Sequence, residues 1–155
     1  MIRPSFKTID IFCTVIDNFG DIGVCWRLAK QLQTEYDLSV RLWVDDLASF
    51  AKLEPMLNTR LSQQTCQHID ICYWSKSDFV ASVKPYDIVI EGFGCRLPNS
   101  FLQAMAQHTP PPVWLNLEYL SAESWTLDCH GLSSQHPSLA LKQTFFRSEE
   151  RRVGK

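Results

Sequence analysis

A chain of 155 residues with 45% hydrophobic and 21% charged residues has the size and balance of one globular domain with its own core. Its formal net charge of -2 offers no electrostatic attraction for nucleic acid or an acidic membrane surface. No apolar run reaches the roughly 20 residues of a membrane span, and no signal-peptide core follows the first eight residues, so a cytoplasmic protein is expected.

Thr8 to Ile16 is a nearly continuous apolar run with β-branched residues, the pattern of a buried parallel strand. From Asp21 the period changes: Ile22, Cys25, Trp26, Ala29 and Leu32 recur at helical spacing, with polar residues between them. Leu38 to Val44 alternates as a second strand, and Leu47 to Leu53 reads as a short helix ended ahead of Pro55. Thr59 to Gln67 is polar and carries no clear pattern. Ile69 to Trp74 is the third strand and 77–83 a short helix. Asp87 to Ile90 is the fourth strand, and it runs into a second glycine-bearing loop, Glu91-Gly92-Phe93-Gly94. Pro98 to His108 is a helix with proline at its start, where a missing amide costs nothing. Three prolines lead into the fifth strand, Val113 to Leu117, after which the alternation fades. Short apolar strands alternating with helices predict an α/β fold. The expected form is a Rossmann-like doubly wound parallel sheet of five or more strands in the order 3-2-1-4-5, with helices on both faces.

The six cysteines stand singly, with no CxxC pair and no histidine at zinc-ligand spacing, so buried thiols are expected, with neither disulfides nor a metal site. His130 follows Cys129, but neighbours in a chain rarely face one another, so no Cys–His dyad is read there. GxGxxG after the first strand, Walker A and GxSxG are all absent. The tryptophans at 26, 43, 74 and 114 fall within predicted helix or strand cores and read as packing.

The carboxylates are more regular. Asp17 and Asp21 follow the first strand, Asp45 and Asp46 the second, Glu91 the fourth and Glu118 the fifth. In a parallel sheet these positions share one edge, where open α/β folds bind ligands at helix N-termini. Gly20 permits the tight backbone of a strand-to-helix turn, and Gly23 permits close approach of the first helical turn. Such an edge suits binding of a cation and general-base chemistry. Asp21 reads equally well as the helix N-cap. Asp45 and Asp46 read as capping or water-facing groups. For Glu91 and Glu118 the functional and structural readings stand level.

The segments Asp10–Leu32 (DIFCTVIDNFGDIGVCWRLAKQL), Ile88–Pro98 (IVIEGFGCRLP) and Trp114–Trp125 (WLNLEYLSAESW) resemble the elongation-factor-P arginine rhamnosyltransferases, the EarP family. The resemblance runs from about Phe6 to Phe146, the N-terminal half of a family member. It implies a GT-B glycosyltransferase, in which two Rossmann-like domains face a cleft. Members transfer rhamnose from dTDP-β-L-rhamnose to one arginine of elongation factor P, with inversion and without a metal or other cofactor. By motif, Asp21 matches the general base and Asp17 a second aspartate needed for activity. Asn18, Phe19 and Gly20, with Asp21, match the loop at the donor sugar. Glu91 and Glu118 lie in family-like segments and are candidates for holding the acceptor arginine.

The resemblance also implies a C-terminal nucleotide-sugar domain that this sequence lacks, so residues 1–146 are expected to be an acceptor-side domain that is inactive alone. The charged run 147–155 (RSEERRVGK) breaks with the rest and reads as a foreign-looking tail. Two other readings stay open: another GT-B enzyme, heptosyltransferase-like, which also uses Gly-Asp after its first strand, and a non-enzymatic Rossmann-like binding module.

Overall fold

A computed structural model of the chain describes residues 6–15, 20–75, 83–93, 95–118 and 133–147. Strand β1 (Thr8–Cys13) leads to α1 (Gly20–Tyr36), β2 (Ser39–Val44), α2 (Leu47–Leu53), β3 (Gln63–Cys66) and β4 (Ile69–Tyr73). Then come β5 (Ile88–Gly92), α3 (Asn99–Gln107), β6 (Val113–Glu118), β7 (Ser133–Gln135) and β8 (Lys142–Arg147). The strands form one sheet in the order β3-β4-β2-β1-β5-β6-β8-β7. The five expected strands are β1, β2, β4, β5 and β6, and they lie side by side in the expected order 3-2-1-4-5.

The sheet is mixed, however. β8 adds a further parallel strand beside β6, and β3 and β7 close the two ends by pairing antiparallel to β4 and β8. β3 (QQTC) has no fully buried residue, which is why hydrophobic patterning does not reveal it: an edge strand needs only a hairpin partner. Arg147, read from composition as the first residue of the charged tail, is the last residue of β8, paired in register with Glu118. The helix expected over 77–83 lies, apart from Val83, outside the described residues.

Two cores sandwich the sheet. Ile9, Ile11 and Cys13 of β1 face α1 and α2, packing with Ile22, Cys25, Trp26, Ala29 and Phe50. Phe12 points the other way, toward Phe101 and Met105 of α3. This alternation is the two-residue period of a strand buried on both faces. Phe12 centres the second core, stacked on Trp43 at 5.3 Å and 4° and edge-on to Trp74 and Phe101. Packing is thus the role of Trp43 and Trp74, and Trp26 packs edge-on against Phe50.

At the amino end of the sheet, Asp87 accepts from the amides of Lys7 (2.9 Å) and Thr8 (3.2 Å) and fixes β1 against β5. Asp10, on the α3 face of β1, is fully buried and is held by Arg41, its register partner on β2, and by the Trp43 indole N–H at 2.9 Å. Among the described cysteines none forms a disulfide: Cys13, Cys25, Cys66, Cys72 and Cys95 are thiols.

Candidate functional site

The carboxyl ends of β1, β2, β5 and β6 lie along one edge of the sheet because these strands are mutually parallel. Four of the sequence candidates, Gly20, Asp21, Glu91 and Glu118, lie there among the described residues; Asp17, Asn18 and Phe19 lie outside them, as does Gly94.

Helix α1 begins at Gly20, which is exposed, so Asp21 stands inside the first turn and not at the cap position. Asp21 is fully buried. A carboxylate in a first turn meets the positive end of the helix dipole, which stabilises its charge despite burial. Its neighbours are specific. Cys13 at the end of β1 hydrogen-bonds Cys25 of α1, and this bond, burial and the nearby Asp21 charge together push the Cys13 thiol far above the ordinary range. That thiol is therefore inert as a nucleophile. Asp21 also lies within electrostatic reach of Asp45, whose carboxyl is pushed upward mainly by burial and further by Asp46 and Asp21.

The two residues after β2 divide their roles. Asp46 is the N-cap of α2, accepting from the Ser49 amide at 3.0 Å and the Ser49 hydroxyl at 2.7 Å, as a structural reading of the sequence expects. Asp45 is no cap. Its Oδ1 accepts from the Val15 amide at 2.8 Å, tying the end of β2 to the backbone that leaves β1. Sequence reasoning missed this link because nothing in an Asp-Asp pair signals a partner 30 residues earlier. Beside it opens a cleft of about 480 Å³, lined by Asp45, Asp46, Arg60, Leu61 and Tyr73 among others.

Glu91 is buried on the α3 face, in register with Phe12 on one side and Asn116 on the other. Its Oε2 accepts from the Arg96 amide at 3.2 Å, so it braces the loop that follows β5. That loop is tightly wound: Phe93 and Arg96 both have positive φ, of 53° and 61°. Such conformations are uncommon for residues with a side chain and concentrate at functional sites. Gly92 has no room for a side chain, since a Cβ there would sit 2.7 Å from the Phe12 carbonyl oxygen and 3.2 Å from Cys25 Sγ. Gly23 is under no such constraint: a Cβ there would meet only Leu53, at an ordinary 3.9 Å. Glu118 ends β6 at the same edge. Among the described residues no three His, Cys, Asp or Glu side chains group as a metal site requires. No helix of the described residues is long and apolar enough to cross a membrane.

Residues 9–149 match the family model described as Elongation-Factor P (EF-P) rhamnosyltransferase EarP. A protein-arginine rhamnosyltransferase of Pseudomonas putida is 49% identical over 139 residues, covering 90% of this chain and 36% of that protein. Its counterpart in Shewanella oneidensis is 49% identical over 142 residues, covering 88% of this chain and 36% of the relative. One from Neisseria meningitidis serogroup B is 45% identical over 116 residues, 73% of this chain and 29% of the relative. The chain thus spans about a third of the length of the curated relatives it matches. With nearly its whole length matched by the family model, this chain belongs to the EarP family of elongation-factor-P rhamnosyltransferases.

Proposed function

We propose that this chain is the N-terminal, acceptor-side part of a GT-B protein-arginine rhamnosyltransferase. The observation that carries the reading is Asp21: a fully buried carboxylate in the first turn of α1, at the carboxyl edge of a parallel sheet, within a family-matched segment. The complete enzyme transfers rhamnose from dTDP-β-L-rhamnose to one arginine of elongation factor P in the cytoplasm. A guanidinium is protonated at neutral pH and is a poor nucleophile. A carboxylate corrects both faults, holding the group by charge-assisted hydrogen bonds and accepting its proton as the bond forms.

In this mechanism an arginine nitrogen attacks the anomeric carbon from the face opposite the diphosphate. The new C–N bond forms as the C–O bond to the diphosphate breaks, which inverts the centre. The nitrogen's proton passes to Asp21, and the electron pair leaves with dTDP. Asp17 orients the guanidinium, and Asn18, Phe19 and Gly20 border the sugar. Glu91 and Glu118, at the ends of β5 and β6, are the candidates for holding the acceptor arginine. Helix dipoles and basic side chains serve the departing diphosphate without a metal. The rest of the donor site belongs to the second domain.

A full-length enzyme made by joining this chain to the remaining part of the P. putida relative tests the reading. Incubated with dTDP-β-L-rhamnose and elongation factor P, it should add one deoxyhexose to one arginine, read by peptide mass spectrometry, whereas this chain alone should add none. A folded full-length enzyme that leaves the acceptor unmodified, or robust transfer by this chain alone, would overturn it. Binding of elongation factor P without transfer would favour the binding-module reading instead.

A further inference from the structure

Val15 lies two residues past the end of β1, and only residues 16–20 separate it from Asp21. The Asp45 carboxylate accepts from the Val15 amide at 2.8 Å and so holds the backbone where it leaves β1, and α1 begins at Gly20. Asp45 is partly buried, and the charges of Asp46 on its own turn and of Asp21 on α1 reach it. Arg60 and Tyr73 line the same cleft.

We propose that Asp45 is a positioning residue for this site, anchoring the backbone where it leaves β1 ahead of α1. The proposal rests on the reading of Asp21 as the base. An anchored end of β1 steadies the edge at which that carboxylate meets the substrate, and misplacement of about 1 Å can cost about 100-fold in rate. Burial is the main cause that raises the Asp45 carboxyl, while the Val15 amide, by binding the charged form, pulls it back down.

The test has two arms. In this 155-residue chain, an NMR titration of the side-chain carboxyls should place the Asp45 midpoint above the ordinary 3.8, with the Val15 amide resonance following the same midpoint. A Val15 amide that does not follow would overturn the proposal whatever the enzyme does. In the full-length enzyme, Asp45→Ala should lower kcat by about 10- to 100-fold with the donor KM little changed. Asp45→Asn keeps an oxygen for the Val15 amide and should restore most of that rate. Equal losses in the two variants, or no loss in either, would also overturn it. A full-length enzyme with every native residue that transfers nothing counts against the rhamnosyltransferase reading alone, and the titration then decides the role of Asp45.

Discussion

Asp10 shows how much one residue can hide in an apolar run. It interrupts the hydrophobic sequence of β1 and is fully buried, yet Arg41 donates to both its oxygens, and Trp43 Nε1 and the Tyr86 amide each donate at 2.9 Å. Arg41 in turn lies 3.9 Å over the Tyr86 ring. Burial alone would lower the pKa of this guanidinium, but the hydrogen bond and charge of Asp10 more than offset it. Removing one member of a buried pair leaves the other uncompensated, at a cost of about 3–5 kcal/mol. Asp10→Ala should therefore lose about that much stability in urea unfolding, while Asp10→Ala combined with Arg41→Met should recover part of it. The identity of Asp10 was plain in the sequence, but its partner was not. The pairing depends on the parallel register of Asp10 with Arg41, which only the folded sheet supplies.

The elements were legible where both faces of a strand, or one stripe of a helix, are buried. β1, β2, β4, β5 and β6 carry the apolar residues that make such strands readable, and α2 falls on the residues its pattern marks. β3 and β7 were not, because short polar edge strands owe their place to backbone pairing alone. The cap of α2 gives a prediction at this scale. The Ser49 amide and hydroxyl hold the Asp46 carboxyl below its ordinary 3.8. A depressed folded value means that the stabilisation is complete above the unfolded value and is lost as pH falls through the folded one. Asp46→Ala should cost roughly 0.5–1 kcal/mol near pH 7, the lower part of the capping range because the group is well solvated. The difference between the two proteins should shrink below the ordinary carboxylate value, and chemical denaturation at pH 7 and pH 3 checks this. Asp45 runs the opposite way. Its raised folded value means that ionising it costs stability, so its contribution is present at low pH and falls as pH rises through that value.

At the scale of the molecule, the doubly wound sheet brings the carboxyl ends of its parallel strands to one edge, where α1 opens with Gly20 and Asp21 inside the segment that the family model matches. That much followed from the sequence, since strand–helix alternation dictates the edge and the DNFGDIG run carries the family resemblance. The support behind the site did not follow. Asp45 at Val15 and Glu91 at Arg96 are contacts between a side chain and a backbone amide, which leave no periodic trace. The division of labour among the acidic residues thus emerges only in the fold: Asp46 caps, Asp45 anchors, Glu91 braces, and Asp21 remains as the buried carboxylate in the first turn of α1. The most direct test of this account is the rate of rhamnosyl transfer to elongation factor P by the full-length enzyme carrying Asp21→Asn, measured beside its thermal unfolding. Asparagine keeps the shape of the side chain but cannot take the arginine's proton, so turnover should fall about 10²- to 10⁴-fold with Tm little changed. A folded Asp21→Asn enzyme that transfers rhamnose at the rate of the unaltered protein would contradict the account.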